Sequence, residues 1–106
     1  MTPPSPPSAT LPSRPIALIT GGHSGIGLYA SIQLALKGFQ VLIASRSASK
    51  VAEAIAEAEK AHPELAGQPT KLTHVQLDLT DLDSVRSCAA EVDKTYGRLD
   101  VLSEWL

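Results

Sequence analysis

The sequence predicts an α/β domain with a parallel sheet, its elements running β-α-β-α-β-α-β and the sheet truncated after the fourth strand. Three observations predict this. Short strand-like runs recur at Ile16–Thr20, Val41–Ala44, Leu72–Leu77 and Leu99–Leu102. The segments between them carry apolar residues at helical spacing. Glycine, proline or capping residues mark the junctions. Strands alternating with helices imply a parallel sheet with right-handed crossovers.

Ile16-Ala17-Leu18-Ile19-Thr20 ends at a glycine cluster, as a strand buried on both faces does. Ile26, Ala30 and Leu34 then recur at helical spacing up to Gly38, a C′ stop. Val41 to Ala44 is a second buried strand. Ser47 to about His62 is helical, with Val51, Ile55 and Ala58 on one face and Glu53, Glu57 and Lys60 on another. Pro63 blocks continuation, and two prolines and a glycine make His62 to Thr70 a loop. Leu72 to Leu77 is a third strand with Thr73, Val75 and Leu77 on one face. Thr80-Asp81-Leu82-Asp83 has the form of an N-terminal capping box. The helix it opens places Val85, Cys88, Ala89 and Val92 together, which makes Cys88 a small core residue. Gly97 ends that helix, and Leu99 begins the fourth strand.

Residues 1–15 are read separately. MTPPSPPSATLPSRP holds six of the eight prolines and one charge, Arg14. It cannot bury enough surface to offset its ordering entropy and is expected to be a disordered, partly polyproline-II tail. Its Pro-x-x-Pro spacing leaves a ligand for a proline-binding module open, and its Ser and Thr content without acids leaves a transit peptide open. Residues 16–106 form the domain segment.

The 106 residues suffice for one domain. Nine Lys+Arg against eleven Asp+Glu give a net charge of −2, which argues against a nucleic-acid binder acting through bulk positive charge. No apolar run approaches the ~18 residues that span a bilayer, so no integral membrane segment is expected. One Cys and three His exclude an intramolecular disulfide framework and show no zinc spacing. The composition fits a reducing compartment. The cytoplasm is the expected location, with an organelle as the alternative.

The chemistry lies in Thr20-Gly21-Gly22-His23-Ser24-Gly25-Ile26-Gly27. Glycines let the backbone turn sharply and approach a pyrophosphate with no Cβ in the way. The helix that follows starts with free N–H groups and the positive end of its dipole, which attract an anion. The required context is present: a strand before, a helix after, and a second strand about 20 residues on.

The spacing is T-G-x-x-x-G-x-G, and the segment resembles the nucleotide loop of the short-chain dehydrogenase/reductase family. Leu77-Asp78-Leu79-Thr80, Asp83-Ser84-Val85-Arg86 and Tyr96-Gly97-Arg98-Leu99-Asp100-Val101-Leu102 are similar to that family too, most of all to its retinol-dehydrogenase-like members. The resemblance covers Ile16 to Leu102 and implies a partial Rossmann domain, the N-terminal half. It implies that Gly21, Gly25 and Gly27 line the pyrophosphate, with Ser24 at the tip of the loop and Ile26 among the cofactor-binding residues. It also implies that the Asp78 carboxylate faces the adenine amino group, with Leu79 beside it. Taken alone, Asp78 reads equally as a strand-end cap or turn residue.

The residue that reads the adenine ribose stands at the end of the second strand. An acid there binds the 2′-hydroxyl of NAD, and a cation accommodates a 2′-phosphate. This chain has Ala44-Ser45-Arg46. Arg46 offers a planar charged fork and Ser45 a hydroxyl donor, with no acid nearby in sequence. NADP(H) is therefore the expected cofactor, ahead of NAD. The alternative for Arg46 is a solvated cation at a helix start. His23 either adds a second contact or faces solvent.

In the family the fourth strand runs into an Asn-Asn-Ala-Gly segment, and catalysis needs a Ser and a Tyr-x-x-x-Lys pair. Here Leu102 is followed by Ser103-Glu104-Trp105-Leu106. Tyr29 is followed at the fourth position by Gln33 and Tyr96 by Asp100, so both tyrosines read as packing residues. The expectation is the cofactor-binding portion of an oxidoreductase whose parent moves a hydride between NADPH and a carbonyl or alcohol, this chain itself being inactive. Two alternatives stand beside it: a nucleotide-binding or regulatory module that pairs with a full-length homologue, and a non-functional remnant. In this chain the fourth strand is expected to be an exposed edge, open to self-association or pairing.

Overall fold

A computed structural model describes residues 14–21, 25–66 and 71–104. Residues 1–13 of the proline-rich segment, Trp105, and Gly22, His23 and Ser24 of the glycine loop lie outside the described residues.

Ile16–Thr20 forms β1, and all five residues are buried. It pairs in parallel with β2 (Gln40–Ser45) on one side and with β4 (Val101–Glu104) on the other, while β2 pairs in parallel with β3 (Leu72–Gln76). The sheet order is β3-β2-β1-β4. The first two crossovers step outward from β1, and the third returns across it. Period-two alternation then divides the core. Ala17, Ile19, Val41, Ile43 and Leu72 point to one face, where they meet Ala35, Val51, Ala58 and Leu65. Ile16, Leu18, Leu42, Ala44 and Val75 point to the other, against Cys88 and Val92. The helices α1 (Gly25–Leu36) and α2 (Ala48–Ala61) thus cover one face and α3 (Leu82–Tyr96) the other.

The buried face of α1 differs from the expected one. Gly27, Ser31 and Ala35 are buried, whereas Ile26 is 68% and Tyr29 66% exposed. Tyr29 is therefore not a packing residue. Small side chains let the helix lie close to the sheet, and Ile32, Leu34 and Leu36 flank the contact. Apolar residues surround much of this helix, so spacing alone selects no face. The buried Ser31 hydroxyl donates to the Gly27 carbonyl at 2.8 Å. Gly38 closes the helix at φ +101°, where its N–H donates to Ala35 O.

Ser47 caps α2 by accepting from Lys50 N. Val51, Ala54 and Ala58 are buried, and Ile55 packs beside them. The expected loop after His62 contains a 3-10 turn, Pro63–Leu65, which Pro63 initiates and which drives Leu65 into full burial.

The N-cap of α3 is Asp81, whose Oδ1 accepts from Asp83 N at 3.0 Å. The capping box led by Thr80 does not form, because Thr80 turns back to the Asp78 carboxylate. Cys88 and Val92 are buried, with Val85 and Tyr96 packed on them, but Ala89 is exposed. Burial, aided by the Glu91 carboxylate, pushes the Cys88 thiol up. Gly97 ends the helix at φ +68°.

β4 starts two residues later than the apolar run Leu99–Leu102 predicted. Asp100 is used as a clamp instead: its N–H donates to Ile16 O at 2.8 Å and its Oδ2 accepts from Ile16 N at 2.8 Å. Arg98 donates to both carboxylate oxygens, at 2.9 and 2.7 Å. These bonds hold the Asp100 carboxyl below its ordinary range, Arg98 first and Ile16 second. A carboxylate bonded in the folded state stabilises it above the unfolded pKa, and that contribution is lost as pH falls through the depressed folded value. Asp100→Asn should therefore lower the thermal midpoint at pH 7 and shrink its fall below about pH 4, as read by circular dichroism melts across pH. An unchanged acid limb would exclude the clamp.

Candidate functional site: a cleft at the carboxyl ends of the strands

The carboxyl ends of β1, β2 and β3 come together on one edge of the molecule. Register pairs Thr20 with Ala44 and Ser45 with Gln76. The crossover direction reverses at β1, between β2 and β4, and in open parallel sheets that switch point leaves a crevice at the strand ends. Gly21 leaves β1 at φ 70° and Gly25 opens α1 at φ 58°, left-handed conformations that L side chains rarely adopt. A Cβ built at Gly25 meets nothing within 4 Å, so the backbone there faces open space. The first-turn N–H groups of α1 stand at that opening, with Ile26 exposed beside them and Gly27 buried against the sheet. His23 and Ser24, expected to join them, lie outside the described residues.

Ser45 ends β2 half-buried, and Arg46 follows it exposed. Ser45 Oγ accepts from Ser47 N at 3.1 Å, which leaves its own hydroxyl proton to donate. Ser45 O accepts from Leu77 N at 3.1 Å, so the ends of β2 and β3 are tied side by side.

Asp78 follows β3. Its Oδ1 accepts from Thr80 N at 2.9 Å and from Thr80 Oγ1 at 2.6 Å, and its own N–H donates to Ser84 Oγ at 2.8 Å. The turn-residue reading of Asp78 thus describes one of its oxygens. The Thr80 hydroxyl and then the Thr80 amide hold the carboxyl below its ordinary range, and the nearby Arg46 charge lowers it further. Asp78 and Arg46, separated by 32 positions, therefore share one electrostatic environment. Leu79 beside them is 56% exposed. The sequence offers Thr80 as a capping residue and Ser84 within a motif, and the structure instead bonds both to Asp78; the D-x-T spacing is the Asx-turn signal that points to Thr80.

A groove of about 660 Å³ lies between β1, β4 and α3. Leu18, Leu77, Leu79, Leu99 and Leu102 line it, and neither Gly21, Gly25 or Gly27 nor Ser45 or Arg46 does. Thr20 also borders it, and the Thr20 hydroxyl is buried with no partner among the described residues. The groove is apolar, and the polar groups suited to a phosphate lie at the strand ends instead. Tyr96 is half-buried, and burial, followed by Glu91, pushes its phenol up, the opposite of what a general acid/base near neutral pH requires. Among the described residues no cluster of His, Cys, Asp and Glu could hold a metal ion, and no helix is long and apolar enough to cross a membrane.

The family model of the short chain dehydrogenases matches residues 15–104. The chain belongs to the short-chain dehydrogenase/reductase family. It is 40% identical over 86 residues to (-)-isopiperitenone reductase of Mentha piperita, covering 81% of this chain and 26% of that protein. To (+)-neomenthol dehydrogenase of Arabidopsis thaliana it is 36% identical over 86 residues, 81% of this chain and 28% of that one. Among solved structures, menthone neomenthol reductase from Mentha piperita superposes with a TM-score of 0.77 at 32% identity, over 89% of this chain and 32% of that chain. An actinorhodin polyketide ketoreductase solved with NADPH superposes with a TM-score of 0.71 at 25% identity, over 87% and 33%. The chain spans between 21% and 34% of the length of the curated relatives it matches here.

Thr80→Val removes one donor to Asp78 and keeps the backbone donor. The Asp78 carboxyl should then titrate at a higher pH than in the wild type, read from its carboxyl carbon by NMR. An unmoved titration would show that the hydroxyl bond is not made in solution.

Proposed function

We propose that residues 16–106 form the adenine and pyrophosphate half of a nicotinamide dinucleotide site with NADP(H) preferred over NAD(H). Gly21, Gly25, Ile26 and Gly27, with His23 and Ser24, serve the pyrophosphate. Ser45 and Arg46 serve the ribose 2′-phosphate, and Asp78 and Leu79 the adenine. The observation that carries this reading is the convergence of the glycine turn, the Ser45-Arg46 strand end and the Asp78 turn on one edge of the sheet. A guanidinium at the end of the second strand meets a phosphate with charge and a two-donor fork, and a 2′-hydroxyl needs neither. The NADPH-bound ketoreductase of similar fold is consistent with that choice.

In a complete family member this portion would serve hydride transfer between NADPH and a carbonyl or alcohol. Neither Tyr29 nor Tyr96 stands in a Tyr-x-x-x-Lys pattern, so the 106 residues alone are not expected to turn over substrate. Arg46→Ala should lower the ratio of NADP(H) to NAD(H) affinity by on the order of tenfold and leave NAD(H) binding nearly unchanged, measured by calorimetric titration. A ratio equal to the wild type would remove Arg46 from the site.

A second reading, a module that associates through its fourth strand, is favoured by one observation. β4 is an edge strand among the described residues, and Leu102 on it is 67% exposed. Leu102→Lys should shift the sedimentation profile toward monomer; a wild type that is already monomeric at high concentration would dismiss this reading.

A further inference from the structure

We infer that His74 and Gln76 of β3 are positioning residues for cofactor choice, holding the backbone from which Arg46 projects. The inference rests on the proposed role of Arg46 and adds the groups that make that role selective.

Side chains on β3 alternate in direction, so His74 and Gln76 share the face of Leu72. The register sets His74 opposite Ile43 and Gln76 opposite Ser45. From there each side chain reaches along the neighbouring strand toward its carboxyl end. His74 Nε2 lies 3.0 Å from the Ser45 carbonyl oxygen, and Gln76 Nε2 donates to the Arg46 carbonyl oxygen at 3.2 Å. A carbonyl only accepts, so His74 Nε2 carries the hydrogen. Two consecutive carbonyls at the point where β2 leaves the sheet are thus each met by a side chain from the adjacent strand. Ser45 O also receives Leu77 N, and Ser45 Oγ receives Ser47 N. The backbone of Ser45 and Arg46 is held from β3 on one side and from the cap of α2 on the other.

This matters because Arg46 is exposed and its side chain has many rotamers. A guanidinium selects a phosphate by presenting its fork in a defined orientation, and each degree of freedom left to be frozen on binding weakens the contact. Fixing the backbone removes that part of the cost before ligand arrives. Neither side chain touches the proposed ligand; both act through the position of Arg46.

The test uses the 106-residue chain and two probes, adenosine 2′,5′-bisphosphate and adenosine 5′-monophosphate, titrated by NMR. The readout is the ratio of their affinities, which isolates the 2′-phosphate. His74→Phe keeps the ring bulk without the donor, and Gln76→Leu does the same for the amide. Each should lower the ratio about threefold, with monophosphate affinity unchanged. His74→Gln, which restores an N–H donor, should return the ratio to the wild-type value. Equal losses for both probes, or an unchanged ratio in both variants while Arg46→Ala collapses it, would overturn the positioning role and leave the Arg46 reading intact. A ratio unmoved by Arg46→Ala would overturn both. Gln76 is itself exposed on the outer strand, so Gln76→Leu decides the matter even where His74→Phe fails to fold.

Discussion

β1 is hydrogen-bonded along both edges and buried on both faces, and the other elements are arranged to keep it so. Five consecutive buried residues cannot be covered by one layer of helix. α1 and α2 must lie on one side and α3 on the other, and that forces the third crossover back over the sheet. The reversal produces the crevice at the carboxyl ends of the strands. Site and core therefore share one origin, the double burial of a short branched strand in a parallel ladder.

The two ends of β1 are managed by different chemistry. At its start, the Asp100 carboxylate joins Ile16 N to Arg98 and sets where β4 begins. At its end, Gly21 supplies a left-handed turn in place of a side-chain clamp. Polar groups at the other strand ends are tied locally, Ser45 to Ser47 and Asp78 to Thr80. These short-range bonds shape the turns and keep Arg46 and Asp78 in one electrostatic neighbourhood. They leave Arg46 and Leu79 exposed, where the proposed cofactor could reach them. The apolar groove beside β4 reaches Leu77 and Leu79, and the Thr20 hydroxyl on its border is buried with no partner among the described residues.

Much of the fold was legible in the residues. Each of the four strand-like runs contains or overlaps a strand, Gly38 and Gly97 are helix stops, and Cys88 is in the core. The errors have local causes. The small residues Gly27, Ser31 and Ala35 carry little hydrophobic signal, yet they are the ones that let α1 approach the sheet, so Ile26 and Tyr29 were assigned inward. Thr80 and Asp81 are both good caps, and only the position of Asp78 decides which one caps α3. The apolar Leu99 looked like strand, but the clamp at Asp100 delays pairing until Val101.

By itself the sequence determined the element order, the parallel sheet and the glycine turn on which the proposed phosphate site rests. Those features follow from local rules, namely side-chain period, branched residues and the conformational freedom of glycine, which act within a few residues of one another. Only the tertiary structure decided the strand order β3-β2-β1-β4, the face that each helix buries and the partners of Ser45, Arg46 and Asp78. His74 and Gln76 are ordinary polar residues of an outer strand until the β2–β3 register places them opposite two particular carbonyls. That register is set by burial across the whole sheet, a non-local constraint that no window of sequence contains.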